Sequence, residues 1–94
     1  MRLCDNQIEV LKNKLHQLSS SAKMYLFGSR TDDTKKGGDI DILVLSDELT
    51  KKDLRLLRVD FFTHFGEQKI DIILDDGTLQ DPFIQHIFPK AVLL

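Results

Sequence analysis

This 94-residue chain has little cysteine, no excess of basic residues and no long apolar run, and each shortage excludes a class of protein. Cys4 is the only cysteine, so an intramolecular disulfide cannot form, and we expect a reducing compartment. No segment approaches the roughly 20 apolar residues of a membrane helix, and the N-terminus lacks the apolar core of a signal peptide. These shortages together predict a cytoplasmic protein with no membrane attachment.

The charge balance is nearly even, with 13 basic and 15 acidic residues and a formal net charge of -2. A free-standing binder of long nucleic acid normally shows a basic patch. We therefore expect a small substrate or a protein partner rather than stable binding of long nucleic acid. The length predicts a single domain, 1–94, whose modest core leaves a thin stability margin that a partner in a hetero-oligomer could supplement.

Three segments have the patterns of helices. Apolar residues recur at spacings of three and four over 5–18, which predicts a helix with its N-cap at Asp5. Thr50 and Asp53 are spaced like a capping box and open a second helix, which ends before a glycine. Asp81, followed by proline, predicts the N-cap of a short third helix. The three histidines of the chain lie on these helices without ligand spacing, and we interpret them as structural or surface residues.

Three apolar runs have the composition of strands, at 24–27, 39–45 and 69–74. The elements then follow the order helix, strand, strand, helix, strand, helix. That order predicts an α/β (α+β) fold in which helices pack mainly on one face of a small mixed sheet. Periodicity does not specify the order of the strands within the sheet.

The most informative motif is a Gly28-Ser29 turn that precedes two closely spaced carboxylates, Asp39 and Asp41. Glycine lets a backbone turn sharply and lets a phosphate approach the main chain closely. Residues two apart in a strand project from the same face, so the two carboxylates repel each other unless a cation lies between them. Carboxylate oxygens favour Mg²⁺ or Mn²⁺, which complete their shells with water and substrate phosphates. The motif therefore predicts a metal-bound nucleotide.

A third carboxylate, Asp71, lies inside the apolar run 69–74. A carboxylate within an apolar strand is costly unless it is paired or binds a metal. If this strand pairs beside the strand of Asp39 and Asp41, the three acids converge on one face. Asp71 could instead be a solvent-facing acid or pair with Lys69.

These motifs resemble the signature of the DNA polymerase beta-like nucleotidyltransferase superfamily. The stretches 27–30 (Phe-Gly-Ser-Arg) and 38–42 (Gly-Asp-Ile-Asp-Ile), with Asp71, most resemble the minimal nucleotidyltransferases of bacteria and archaea. The resemblance extends over roughly residues 23 to 94. It implies the fold of that superfamily, with Asp39 and Asp41 as metal ligands and Asp71 completing the site as a base toward the attacking hydroxyl.

The three acids and the glycine turn lead to a mechanistic hypothesis, transfer of a nucleoside monophosphate from a nucleoside triphosphate. Two metal ions about 4 Å apart would bridge Asp39, Asp41 and Asp71. The Gly28-Ser29 amides and hydroxyl would hold the β and γ phosphates. Arg30 could also contact the triphosphate, although an arginine at a helix start is often only solvated.

The resemblance also implies an acceptor. Minimal nucleotidyltransferases are commonly the antitoxins of two-gene modules whose partner is a helical ribonuclease toxin of the HEPN type. The implied reaction transfers AMP from ATP to a tyrosine of that toxin. One alternative is an antitoxin that neutralises its partner by binding alone, and another is a nucleotidyltransferase acting on a small molecule.

Overall fold

The computed structural model describes residues 3–28, 40–66 and 68–94. The described elements follow the expected order, with one additional short strand at the end. They are α1 (Asp5–Leu18), β1 (Lys23–Phe27), β2 (Ile40–Leu45), α2 (Lys51–Phe65), β3 (Ile70–Asp75), α3 (Pro82–Ile87), a 3-10 turn (Phe88–Lys90) and β4 (Val92–Leu93).

The strands form one mixed sheet in the order β3-β2-β1-β4. β1 pairs antiparallel with both β2 and β4, whereas β2 and β3 run parallel. Parallel neighbours need a crossover connection, and α2 provides it between β2 and β3. The expected mixed sheet and the crossover helix are therefore both confirmed.

The larger core lies between the sheet and the two long helices. Leu11 and Leu15 of α1 and Leu57 and Phe61 of α2 are each no more than 2% exposed, and they pack with the inward residues of β2 such as Ile42. Burying one such side chain completely stabilises the fold by about 1.5–3 kcal/mol. The apolar stripes of the two helices thus fix both helices on one face of the sheet.

A smaller core lies on the opposite face, where α3 crosses the sheet. Ile84 of α3 packs with Phe27 of β1 and Leu43 of β2, and all three are buried. Helices therefore pack mainly on one face, as expected, and α3 is the exception. None of the helices within the described ranges has the length and apolar character that a membrane crossing requires.

The predicted helix starts are confirmed at two helices and wrong at the first. Asp81 accepts a hydrogen bond from the backbone N–H of Phe83 at 2.8 Å, and Asp53 accepts one from Thr50 N–H at 2.8 Å. At α1 the N-cap is Cys4 and Asp5 is the first helical residue. The Gln7 side chain reaches back to accept from the backbone N–H of residue 4 at 3.1 Å, which moves the cap one position upstream.

Candidate active site

Asp41 and Asp71 are brought together by the parallel pairing of β2 and β3. They occupy the same register position, with Ile40 opposite Ile70 and Ile42 opposite Ile72 on either side of them. Since the isoleucines face the larger core, the two aspartates project from the other face of the sheet. Asp41 is half-buried and Asp71 is exposed. The placement expected for Asp71 beside Asp41 is therefore found.

Gly28 follows β1 directly and lies against the Asp41 side chain. Its φ is +79°, a backbone conformation that L side chains rarely adopt. A Cβ built at this position would collide with Oδ2 of Asp41 and lie 3.3 Å from its Cγ. The register explains this closeness, because Phe27, the last residue of β1, is the antiparallel partner of Asp41. Glycine is thus required here both by the backbone and by the carboxylate.

Three predicted site residues, Ser29, Arg30 and Asp39, lie outside the described residues. Their assignment as phosphate and metal ligands therefore stays a prediction. Asp39 immediately precedes β2, whose first residue is Ile40.

A cleft of about 350 Å³ opens beside Gly28, between the end of β1 and α3. Phe27 and Phe83 line its apolar side, and their rings meet edge to face with centroids 6.2 Å apart. His86 and Lys90 supply basic groups to the same cleft. Such a combination suits a ligand with one flat apolar part and one anionic part.

Comparison with protein-family models matches residues 8–91 to the nucleotidyltransferase domain family. The match spans most of the chain and includes Gly28, Asp41 and Asp71. The chain belongs to this family. Comparison with curated proteins gives no significant match. Family membership supports nucleotidyl transfer as the general activity.

The donor set of this nucleotidyltransferase domain is compatible with a hard divalent cation. Within residues 3–28, 40–66 and 68–94, no cluster of three or more His, Cys, Asp or Glu side chains is arranged to hold a metal. The described pair, Asp41 and Asp71, is nevertheless the number of carboxylates that Mg²⁺ commonly takes from a protein. Two like charges opposite each other on paired strands are unfavourable without a cation between them. The pair therefore fits such a metal.

Two further acids near β3 have structural roles in this nucleotidyltransferase domain. Oδ2 of Asp75 accepts hydrogen bonds from the backbone N–H groups of Gly77 at 2.8 Å and Leu79 at 3.1 Å. Oδ1 of Asp76 accepts from Thr78, whose hydroxyl and backbone N–H hold the pKa of Asp76 below its usual value. These bonds order the turn that leads from β3 to α3.

The basic groups beside Gly28 belong to no motif in the sequence. His86 is exposed, as expected for a surface residue, and in addition lines the cleft, whereas Lys90 belongs to no sequence motif. Both lie far from Gly28 along the chain and reach the cleft only because the C-terminal segment folds across the sheet. A local pattern therefore contains no signal for them. The remaining histidines, His16 and His64, are exposed, as expected.

Proposed function

We propose that this nucleotidyltransferase domain transfers AMP from ATP to a tyrosine hydroxyl of a partner protein, with pyrophosphate as the leaving group. The observation that carries the proposal is the in-register pair Asp41 and Asp71, set beside a glycine turn on a nucleotidyltransferase fold. Two carboxylates at one register position repel each other and so disfavour this pairing in the absence of a cation. The placement of the pair next to Gly28 is best explained by catalysis.

Gly28, Asp41 and Asp71 each have a distinct role in the proposed reaction. Gly28 carries no side chain of its own, so the Asp41 carboxylate lies close to the main chain, and a phosphate on the same metal would be able to approach it there. Asp41, half-buried against Gly28, would hold Mg²⁺ together with Asp71 and the predicted ligand Asp39. Asp71 is exposed, so it can reach an incoming hydroxyl, orient it and accept its proton.

Mg²⁺ would supply charge neutralisation at the phosphates and increase the acidity of the acceptor hydroxyl. The protein's own contribution is positioning, because phosphoryl and nucleotidyl transfers need the reacting atoms held in line more than they need covalent help. The cleft beside Gly28 is the proposed position of the nucleoside. There the ring of Phe83, which is 54% exposed, can pack against a base, and Lys90 can approach an anionic group.

The proposed partner is a HEPN-type toxin that the reaction silences, so that the chain acts as its antitoxin. The residues that resemble minimal nucleotidyltransferases support this assignment, as does the even charge balance, which suits a protein acceptor better than long nucleic acid. The partner would present the tyrosine to Asp71 from the exposed side of the sheet.

The test is incubation with labelled ATP, Mg²⁺ and the product of the adjacent gene. We expect label on one tyrosine of the partner, and we expect Asp41→Asn and Asp71→Asn to abolish it while keeping the wild-type circular dichroism. Asp47→Asn is the matched control, since residue 47 is exposed and follows the opposite end of β2. If both site variants neutralised the partner as fully as wild type without any label, binding alone would be the function. Label on a small molecule instead of the partner would contradict the proposed acceptor.

A further inference from the structure

Among the described residues, no strand pairs with the outer edge of β3. β3 is the first strand of the order β3-β2-β1-β4, so within the described ranges only β2 pairs with it. At the two ends of this ladder, Ile40 N–H donates to the carbonyl of Lys69 at 3.1 Å and Ser46 N–H donates to the carbonyl of Asp75 at 2.9 Å. Because backbone groups alternate between the two sides of a strand, odd-numbered residues of β3 bond to β2. Even-numbered residues therefore point their N–H and C=O groups outward.

The residues whose backbone N–H and C=O groups point outward are Ile70, Ile72 and Leu74. Their side chains face the α2 side of the sheet, and a groove runs along them beside α2. Two adjoining cavities, of about 360 Å³ and about 580 Å³, form this groove. Arg55 and Arg58 line both cavities, which makes the groove continuous. Five strand residues span roughly 15 Å, so the groove accommodates a segment of about five extended residues. We call this feature the β3 groove.

The β3 groove combines an apolar floor with a basic rim. Lys51 stands at one end and Lys69 at the other, with the two arginines between them, and no Asp or Glu lines either cavity among the described residues. In the described part of the chain, the guanidinium groups of Arg55 and Arg58 make neither an ion pair nor a hydrogen bond. Unpaired guanidinium groups beside an apolar floor favour a carboxylate-bearing ligand, since each can bind a carboxylate with two hydrogen bonds.

We propose that the β3 groove binds an acidic, extended segment of a protein partner as an added strand. The outward backbone groups of β3 would supply the strand hydrogen bonds, and Arg55 and Arg58 would bind acidic side chains on the α2 face. Side chains of an added strand alternate between faces, so the intervening ones would lie on the face of Asp71. The inference deepens the proposed function, on which it rests, because it names how the acceptor hydroxyl reaches the site.

Two other occupants fit the β3 groove less well. A second copy of the chain pairing through β3 would place the two Arg55 and Arg58 pairs on the same face of the joined sheet, where they would repel each other. Nucleic acid would use the basic rim but would leave the outward N–H and C=O groups of β3 and the apolar floor without a matching partner. The chain's net charge of -2 also disfavours it.

Fluorescence anisotropy with a labelled eight-residue peptide, glutamate alternating with valine and including one tyrosine, tests the proposal. The protein is the Asp71→Asn variant, so that binding is measured without transfer. We expect saturable binding, at least tenfold weaker for Arg55→Glu/Arg58→Glu and unchanged for Lys12→Glu/Lys23→Glu, a matched pair of exposed lysines on α1 and β1. A peptide with lysine in place of glutamate should bind at least tenfold more weakly. The acidic peptide with its four central amides N-methylated should also bind at least tenfold more weakly, because it cannot donate the backbone hydrogen bonds of an added strand.

Equal binding of the acidic and lysine peptides, or indifference to N-methylation, would overturn the proposal. The proposal would also be overturned if a labelled single-stranded oligonucleotide bound more tightly than the acidic peptide and Arg55→Glu/Arg58→Glu abolished that binding. A dimer seen by sedimentation that Arg55→Glu/Arg58→Glu dissociates would overturn it as well. Transfer separates the two proposals. If the wild type bound the peptide but transferred no AMP to the partner, only the proposed function would be contradicted. If Arg55→Glu/Arg58→Glu transferred AMP to the partner as fully as wild type, only the proposed role of the β3 groove would be contradicted.

Discussion

Asp41 and Asp71 face the same side of the sheet because they are register partners on two parallel strands. The crossover through α2 creates this relationship, since it returns the chain alongside β2 in the same direction. Two carboxylates at one register position repel each other, so the arrangement costs stability in the absence of a cation. Stability and activity should therefore respond in opposite directions when one of these charges is removed.

Asp71→Asn should lower nucleotidyl transfer by about 100-fold or more, the usual effect of removing a base or a charge-stabilising group. Its free energy of unfolding should equal or slightly exceed that of wild type, since the side chain is exposed and the change relieves repulsion with Asp41. Urea unfolding monitored by circular dichroism, together with the labelled-ATP assay, checks both outcomes. A variant that lost activity only because it had unfolded would contradict a catalytic role for this carboxylate.

Gly28→Ala should destabilise the chain more than Gly66→Ala. Both glycines have positive φ, +79° at Gly28 and +78° at Gly66, where ψ is 176°, so each substitution places a side chain in a backbone region that L residues rarely adopt and incurs a penalty of roughly 1–3 kcal/mol. Only at position 28 would the new Cβ also collide with Asp41, which adds about 1–3 kcal/mol or displaces the carboxylate. Unfolding free energies and transfer rates of the two variants measure the difference. If Gly28→Ala and Gly66→Ala had the same unfolding free energy and the same transfer rate, the close contact between Gly28 and Asp41 would contribute neither to stability nor to activity.

The elements that sequence predicted well are those determined by local patterns. The stripes of α1 and α2, the capping box at Thr50 and the N-cap at Asp81 depend on residues within a few positions of each other. The N-cap of α1 was displaced by one residue because Gln7 provides the competing hydrogen bond. Asp71 could also be recognised, because an acid within an apolar strand stands out in any sequence.

The features that sequence did not reveal depend on non-local pairing. Periodicity gives no strand order, so the parallel register that joins Asp41 to Asp71 required the fold. The C-terminal residues form β4, a two-residue strand too short to have a pattern of its own. His86 and Lys90 reach the cleft beside Gly28 by the same fold-back of the chain. Of the predicted site, Ser29, Arg30 and Asp39 still await a structural test, since they lie outside the described residues.

Acid should weaken the end of the fold opposite the candidate site through Glu48. Hydrogen bonds from Ser19 at 2.5 Å and then Ser21 at 2.8 Å hold the pKa of Glu48 below its ordinary value of 4.5. A carboxyl whose pKa is lowered by folding stabilises the protein above its unfolded pKa, and that contribution is lost as the pH falls through the lower folded value. Wild type should therefore lose more stability below pH 4.5 than Glu48→Gln does.

Urea midpoints measured from neutral pH down to acid give this comparison, with Glu9→Gln on the exposed face of α1 as the control. The control should follow the wild-type curve. If Glu48→Gln and wild type lost stability in parallel as the pH fell below 4.5, the hydrogen bonds from the two serines would not be coupled to folding.

Lys90→Met should raise the KM for ATP about two- to fivefold with little change in kcat, the size expected for one solvent-exposed ionic contact. The residue lines the cleft beside Gly28 but does not touch the carboxylate pair, so it should affect binding more than chemistry. Lys23→Met, the same change on an exposed residue at the start of β1, is the control. Steady-state kinetics at increasing salt provide the measurement, and the effect should shrink as salt rises. An unchanged KM would exclude the cleft beside Gly28 as the position of the nucleotide.

Leu94→Ala should destabilise the chain by about 1–2 kcal/mol, whereas Leu93→Ala should change stability by no more than about 0.5 kcal/mol. The two residues are adjacent but face different surroundings, because side chains alternate along an extended segment. Leu94 packs against the larger core, and its N–H donates to the carbonyl of Met24 at 2.9 Å. Leu93 is 60% exposed on β4. Urea unfolding of Leu93→Ala and Leu94→Ala measures whether residue 94 belongs to the core. Equal losses of unfolding free energy in the two variants would show that Leu94 does not pack against the larger core.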